Sequence, residues 1–312
     1  MAFGAVRAAV LGGGTTSFVP FVYFATGSNV TKFDMDNNEI WSTVLSGTLN
    51  AVATDPAGFV YAGGTDASVT KLDPDGNVVW VNTSPTNTVR NLAVDRDGFV
   101  YSADQAGRVR KYSPTGTLIF TRTFGTFLFA VDLDDAGNIY VGNSSNEIRK
   151  YDNSGTIIWT FTEALSVTGV RAMPNGDVYY WVGGTSGNNL RKRDTNGNLI
   201  FSVNVSTFGS NRGSLDLDGN FYSGARGVAS SNHRLVKVSS TGTILRNIAF
   251  GDTSTATLEV AFNDFVYRTP FQRSATIHDD QLNLVTTLPL FCPSQSDVAA
   301  SPGRVGQFSS FW

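Results

Sequence analysis

The chain has 312 residues, 41% of them hydrophobic, which is enough to fill the core of one large domain or two smaller ones. The formal net charge of -3 lacks the basic excess that phosphate contacts require, so nucleic acid is not expected as a partner. A single cysteine, Cys292, excludes an internal disulfide, and no cysteine or histidine accompanies it at a zinc-site spacing. No stretch reaches the ~18 apolar residues of a membrane-spanning helix.

Residues 1–18 precede the repeated part of the chain. They are apolar and include Arg7, as a secretory signal peptide would. The apolar run AAVL is short, however, a triglycine follows it directly, and no compact A-x-A cleavage site comes after. We therefore expect an N-terminal arm over residues 1–18, with a signal peptide as the alternative.

A motif of twelve residues then recurs six times. One copy is VTKLDPDGNVVW at 69–80, and another is IRKYDNSGTIIW at 148–159. All lysines of the chain occupy the third position of a copy: Lys32, Lys71, Lys111, Lys150, Lys192 and Lys237. A second motif, such as NAVATDPAGFVYAGG at 50–64, lies between the copies and carries a tyrosine that returns seven times: Tyr23, Tyr61, Tyr101, Tyr140, Tyr179, Tyr222 and Tyr267. Seven tyrosines indicate seven units.

Each unit of about 40 residues contains four short runs of β-branched and aromatic residues separated by turn residues. In the second unit the strands are predicted at 50–55, 59–64, 68–73 and 78–83. No segment shows the apolar period of a helix. We therefore predict an all-β chain, a seven-bladed β-propeller of four-stranded antiparallel blades over residues 19–302.

The ends of the chain predict how the ring closes. VPFVYFAT at 19–26 matches the second strand of a blade, and the missing first strand returns as SDVAAS at 296–301. A C-terminal strand that completes blade one would pair two edges that otherwise invite aggregation.

The motif AVATDPAGFVYAGG resembles NHL-type repeats, and the pattern K-x-D-x-x-G-x-x-x-W resembles PQQ-like propeller repeats. The resemblance covers about residues 19–302 and implies the fold alone, because this fold hosts receptors, scaffolds, lyases, hydrolases and quinoprotein dehydrogenases. The last copy, TIHDDQLNLV at 276–285, lacks the lysine, the turn glycine and the final aromatic residue.

Three repeated features favour structural roles. Acidic turns such as DPDG offer several oxygens, as calcium requires, but sister turns such as SPTG at 113–116 contain no acid, which favours ordinary turns. The lysine stems are expected to cover apolar surface while the ammonium groups reach water or a carbonyl. The aromatic residues nine positions after five of the lysines are expected to pack between blades: Trp41, Trp80, Phe120, Trp159 and Phe201.

The positions nearest the axis are unequal. Where other blades carry Ala53, Ala93 and Ala299, the sequence places Asp132, Arg171, Ser214 and, allowing a shift, Glu259. We predict an ion pair between Asp132 and Arg171 that locks adjacent blades. The alternative is a channel site for a polar or anionic ligand, with five candidate residues: Asp132, Arg171, Arg212, Glu259 and Asp297.

No motif for nucleophilic or acid–base catalysis is present, and His233 and His278 fall at third strands, away from the axis. No metal and no cofactor are therefore expected. The two ends, 1–18 and an aromatic tail at 303–312, are expected to dock on other protein subunits through apolar residues: Phe3, Val6, Val10, Leu11, Phe308, Phe311 and Trp312. The alternative is that both ends fold back over blade one.

We thus expect a non-enzymatic scaffold in a larger assembly. The low lysine content and the many Ser, Thr, Asn and Gly residues resemble structural proteins of tailed-phage virions, which implies a virion or extracellular surface, with the cytoplasm as a further option. A cell-surface carbohydrate or receptor is another expected partner of the disc face. The alternative is an enzyme at the channel mouth, a lyase or hydrolase that acts on a polar or anionic substrate.

Overall fold

A computed structural model of the chain describes residues 21–183, 188–206, 213–216, 218–225, 233–250, 255–260, 265–270, 273–292 and 297–301. This part of the chain contains twenty-eight β-strands and no helix, and accordingly none that is long and apolar enough to cross a membrane. The predicted arm at 1–18 and the predicted tail at 303–312 lie outside the described residues.

The strands form seven antiparallel sheets of four, the blades, which are numbered here in chain order and given from the inner to the outer strand. Blade one contains β28 (Asp297–Ser301), β1 (Phe21–Thr26), β2 (Asn29–Phe33) and β3 (Glu39–Val44). Blade two contains β4 (Leu49–Thr54), β5 (Val60–Gly64), β6 (Val69–Leu72) and β7 (Val78–Asn82). Blade three contains β8 (Val89–Val94), β9 (Val100–Asp104), β10 (Arg108–Tyr112) and β11 (Leu118–Thr123).

The remaining blades repeat this order. Blade four contains β12 (Leu128–Leu133), β13 (Ile139–Asn143), β14 (Glu147–Tyr151) and β15 (Ile157–Thr162). Blade five contains β16 (Val167–Ala172), β17 (Val178–Val182), β18 (Asn188–Arg193) and β19 (Leu199–Ser206). Blade six contains β20 (Gly213–Leu215), β21 (Phe221–Ala225), β22 (His233–Val238) and β23 (Ile244–Phe250). Blade seven contains β24 (Thr255–Val260), β25 (Val266–Pro270), β26 (Arg273–His278) and β27 (Leu284–Cys292).

The inner strands contact one another in sequence around the ring, and β28 lies between β24 and β4. The ring closes as predicted: β28 pairs with β1, with Ala299 opposite Tyr23. This pairing covers one edge of each strand, so neither of these edges can pair with a strand of another chain. The fold is therefore an all-β, seven-bladed propeller, as the repeat predicted.

The strand register aligns one residue of each strand into a row that crosses the blade. In blade two this cross-blade row is Ala53, Tyr61, Lys71 and Trp80, read outward from the axis. Because paired residues of neighbouring strands project from the same face of a sheet, all four side chains point toward the next blade. The buried apolar residues accordingly form clusters between neighbouring blades, such as the one that joins Tyr61 of blade two to Leu92 of blade three.

The acidic stretch DPDG forms the turn between the third and fourth strands. One oxygen of Asp73 accepts the main-chain N–H groups of Asp75 and Asn77 at 3.0 and 2.8 Å, and Gly76 takes a φ of 87°. The Ser113 hydroxyl accepts the N–H of Thr117 in the equivalent turn of the next blade at 3.0 Å. These bonds confirm the interpretation of the motif as a turn.

Two of these turns have no glycine. Asn37 replaces it in blade one with a φ of 67°, a conformation that asparagine tolerates well. Blade seven has the same four strands as the other blades, although its sequence departs most from the repeat and the register of its outer pair shifts between Ser274 and Thr276. Its turn is made by Leu282, which takes a φ of 65° while the carboxylate of Asp279 accepts the N–H of Asn283 at 2.8 Å.

Candidate functional site

Seven equivalent residues lie on the inner strands, each opposite the repeated tyrosine of its blade. They are Ala299, Ala53, Ala93, Asp132, Arg171, Ser214 and Glu259 in blades one to seven. Glu259 pairs directly with Tyr267, so the register needs no shift. Three blades therefore present alanine near the axis, and the other four present polar or charged side chains.

The sequence predicted an ion pair of Arg171 with Asp132; in the structure Arg171 forms a close ion pair with Glu259, and its charge also acts on the Asp132 carboxyl group. The Arg171 Nη2 atom lies 2.6 Å from Glu259 Oε2, and both side chains are almost completely buried. This ion pair joins blade five to blade seven and skips blade six, where the equivalent residue is the short Ser214. A long arginine side chain can extend past a small neighbouring residue. Equivalent positions in the sequence repeat do not reveal this reach.

Asp132 binds the backbone of the adjacent blade. Its Oδ2 atom accepts the main-chain N–H of Ala172 at 2.9 Å. Two further side chains make the same kind of contact: Asp297 accepts the N–H of Val52 at 2.9 Å, and Asn91 accepts the N–H of Val131 at 2.8 Å. An inner strand has sheet partners on one side only, so these acceptors satisfy amides that would otherwise be buried without a partner.

Burial raises the pKa of two carboxyl groups near the axis, those of Asp132 and Glu259. It raises the pKa of Asp132 to about 6, although the Arg171 guanidinium and the N–H of Ala172 pull that pKa down. Burial also raises the pKa of Glu259, against the opposing effect of Arg171. Both carboxyl groups are therefore costly to hold as buried anions, and Arg171 offsets part of that cost.

The structure brings four of the five channel candidates close to the axis. Asp132, Arg171, Glu259 and Asp297 are each buried and interact with one another or with neighbouring backbone. Arg212 and the docking candidates Phe3, Val6, Val10, Leu11, Phe308, Phe311 and Trp312 lie outside the described residues. Ligand binding by these residues stays a prediction. Within the described ranges, no three His, Cys, Asp or Glu side chains converge as a metal site requires.

In blades one and two the repeated lysine reaches a carbonyl and the repeated tryptophan packs against the next blade, as predicted. Lys71 and Trp80 of blade two both donate to the main-chain carbonyl of Pro114 in blade three, at 3.2 and 3.1 Å. Lys32 and Trp41 of blade one both donate to the Pro74 carbonyl, each at 2.9 Å. The twelve-residue motif therefore contains both the donors and the turn that accepts from the preceding blade.

A feature that the sequence interpretation missed is a band of aliphatic side chains on the outermost strands. We call these residues the rim pairs: Ile40, Val78, Val79, Leu118, Ile119, Ile157, Ile158, Leu199, Ile200, Ile244, Leu245, Leu284 and Val285. Each is between 38% and 57% exposed, and every blade contributes at least one. The twelve-residue motif could have predicted these residues, because it contains aliphatic positions just before each outer aromatic residue.

Two of three comparisons with known proteins found matches to this chain. The PQQ_2 family model, described as "Outer membrane protein assembly factor BamB", matches residues 65–267. No curated protein matches the sequence. Among solved structures, a chain of the mitotic checkpoint complex is 15% identical with a TM-score of 0.68, and the alignment covers 86% of this chain and 84% of that one.

The WD40 β-propeller domain of Doa1 is 14% identical with a TM-score of 0.68, and the alignment covers 80% of this chain and 85% of that domain. Identities this low show a common fold alone. The family match extends over more than half of the chain and confirms the predicted PQQ-like resemblance, while the NHL-like one stays a prediction. The chain therefore belongs to the PQQ_2 family of propellers, the family described as outer membrane protein assembly factor BamB.

Proposed function

We propose that the chain is a non-enzymatic scaffold that binds other proteins through its rim. The observation that carries this proposal is the band of rim pairs, which exposes aliphatic surface on all seven blades. These thirteen half-exposed aliphatic side chains recur at equivalent places on the outermost strands and offer apolar surface that a partner protein can cover. The outermost strands are also sheet edges, whose unpaired N–H and C=O groups can accept an added strand.

The comparisons support a protein partner. The matching family is named for a protein assembly factor, and one similar structure is part of a multiprotein complex. A place in a virion, docking through the arms at 1–18 and 303–312, and binding of surface carbohydrate or a receptor all stay finer predictions, since neither the family match nor the similar structures indicate them.

The alternative function, an enzyme with its site in the channel, draws less support from the axis. Glu259 and Arg171 neutralise one another at 2.6 Å, and Asp132 and Asp297 each accept a main-chain N–H of a neighbouring blade. These bonds occupy the groups that a channel enzyme would use and favour a role in holding the blades together.

A photoactivatable cross-linking residue in place of Ile158 tests the proposal in the intact chain, expressed in its own host. We expect discrete adducts with one or a few proteins, because this position lies in the rim band. The matched control is the same residue in place of Thr115, which is exposed on a polar turn of the disc face and should give no adduct of that mass. Equal adduct patterns at both positions, or none at Ile158, would contradict the scaffold proposal.

A further inference from the structure

The closing strand β28 has unlike contacts on its two sides near the axis. It lies between β24 of blade seven and β4 of blade two. Toward β4, the Asp297 carboxylate accepts the main-chain N–H of Val52 at 2.9 Å. Toward β24, the negative charge of Asp297 acts on the carboxyl group of Glu259. The first contact attracts the closing strand, whereas the second repels it while both carboxyl groups are ionised.

Glu259 belongs to a network of buried charged groups at the axis. We call four residues, each at most 5% exposed, the axial network: Asp132, Arg171, Glu259 and Asp297. Arg171 Nη2 lies 2.6 Å from Glu259 Oε2, and the arginine charge also acts on Asp132. The network therefore contains three carboxyl groups and one guanidinium group, which does not neutralise all three as carboxylates.

The axial network consequently holds protons more tightly than carboxyl groups in water do. Burial raises the pKa of Asp132 to about 6, against the opposing charge of Arg171. Burial also raises the pKa of Glu259 above its ordinary value of 4.5, and the charge of Asp297 raises it further. Arg171 and a hydrogen bond from Ser214 act on Glu259 in the opposite direction. Carboxyl groups in such surroundings release their protons at a higher pH than exposed ones.

Separation of β28 from β24 would remove part of this burial. The separation uncovers Glu259 and Asp297 and lets water reach the rest of the axial network. The pKa of an uncovered carboxyl group returns toward its ordinary value, so the open ring binds protons less tightly than the closed ring. This advantage of the closed ring is complete at a pH below the ordinary pKa values and is lost as pH rises through the raised ones.

The outer part of the contact between blades seven and one lacks two donors of the repeat. In blade one, Lys32 and Trp41 both donate to a carbonyl of blade two. Ile277 and Thr286 occupy the equivalent places in blade seven and carry neither an ammonium group nor an indole N–H. Cohesion at this contact therefore depends more on apolar packing and on β28 than cohesion between blades one and two does.

We propose that the axial network makes closure of the ring depend on pH, so that β28 is held more tightly at mildly acidic pH than at neutral pH. Within the described ranges, the groups that face Glu259 are Arg171 of β16, Ser214 of β20, Tyr267 of β25 and Asp297 of β28. Asp132 of β12 lies on the other side of Arg171 and feels the same guanidinium charge. The inference goes beyond the rim and does not depend on it, because none of these residues belongs to the rim pairs.

Hydrogen exchange of the intact chain, followed by mass spectrometry near pH 5 and near pH 7.5, tests the proposal. The intrinsic rates of the unfolded chain at each pH are divided by the measured rates, which gives protection factors for the amides of β28 and β1. We expect these protection factors to be about tenfold higher near pH 5. A carboxyl group whose pKa falls from about 6 to its ordinary value on opening, as that of Asp132 would, gives a change of this size.

Two isosteric variants remove charge from the axial network and keep its hydrogen bonds to the backbone. Asp297→Asn still offers an oxygen to the N–H of Val52, and Asp132→Asn still offers one to that of Ala172. We expect each variant to raise the protection of β28 near pH 7.5, because a carboxylate that is costly to bury has been removed. The pH dependence should fall to about threefold or less in each.

The matched control is Asp104→Asn. Asp104 is likewise a buried carboxylate, but it pairs with Arg110 in blade three, away from the axis. In this variant the protection of β28 should still differ about tenfold between the two pH values.

Three outcomes would overturn the proposal. The first is protection of β28 that is the same at both pH values, and the second is a pH dependence that persists in both axial variants. The third is an equal gain of protection in every strand, because it would show that pH acts on global unfolding rather than on closure of the ring.

Discussion

The outer hairpins and the axial strands both join neighbouring blades. The outer hairpins do so with residues that recur from blade to blade, whereas the axial strands do so with residues that differ. In the outer hairpins the same residues recur, and Lys71 with Trp80 meets the Pro114 carbonyl much as Lys32 with Trp41 meets that of Pro74. At the axis, the seven equivalent residues range from alanine to arginine. An outer lysine contacts a neutral carbonyl of the next blade, whereas the axial residues lie close to one another. Seven identical charged residues at the axis would therefore repel one another. The same charged residue can therefore recur in every outer hairpin, whereas the axial positions are better filled by different residues.

The largest expected effect comes from breaking the axial ion pair. Arg171→Met should lower the free energy of unfolding by about 3–5 kcal/mol, because Glu259 would remain buried without its cation. Chemical denaturation followed by tryptophan fluorescence measures the change. The double variant Arg171→Met with Glu259→Leu should recover most of the loss, since no buried charge remains.

A matched control for this prediction is Arg149→Met. Arg149 pairs with Glu147 at 2.5 Å, but both side chains are partly exposed, so the loss should stay within about 1 kcal/mol. Equal losses for the two arginine variants would show that the axial pair does not hold the blades together.

A smaller effect is expected in the outer hairpins, where a turn glycine meets the preceding blade. Gly116 has a φ of 85°, and a Cβ atom there would lie 2.8 Å from the Trp80 ring. Gly116→Ala should cost about 2–3 kcal/mol, from backbone strain together with displacement of the ring. Gly125→Ala is the control, because Gly125 has a φ of 75° and no atom within 4 Å of its added Cβ. Thermal unfolding of both variants measures the difference, which is the contribution of the contact between blades. Equal destabilisation of the two variants would show that this contact contributes nothing.

The smallest expected effect is a change in how stability depends on pH. The folded chain raises the pKa of Asp132 to about 6, so it binds this proton more tightly than the unfolded chain does. The folded state therefore gains stability from this group as pH falls from about 6 toward 4 and loses it as pH rises. In Asp132→Asn this contribution disappears, so the stability of wild type relative to the variant should fall by about 2 kcal/mol between pH 4 and pH 7.5. Parallel curves for the two proteins would contradict the raised pKa.

The repeat predicted the ring, its closure and the role of the outer hairpin, because those features depend on residues that occupy the same place in every blade. The tyrosine count set the number of blades, and SDVAAS marked the closing strand. The turn at DPDG was predictable because sister copies form it without acids.

The parts that could not be predicted depend on side-chain reach and on neighbouring exceptions. The sequence placed Asp132 and Arg171 in adjacent blades but could not show that arginine would extend past Ser214 to Glu259. Lys111 matches its five siblings in sequence, yet it is only half-buried while they are buried. Exposure of the rim pairs follows from their position on the last strand of each sheet, which requires the strand order to be known.

The closing strand also has a consequence for the order in which the protein can fold. Asp297 of β28 accepts the N–H of Val52, a residue 245 positions earlier in the chain. During synthesis, blade one remains a three-stranded sheet with an unpaired inner edge until every other blade has left the ribosome. Contacts between such distant segments form slowly, because a long loop must first be closed. The nascent chain is therefore most exposed to strand-mediated misassembly just before β28 emerges.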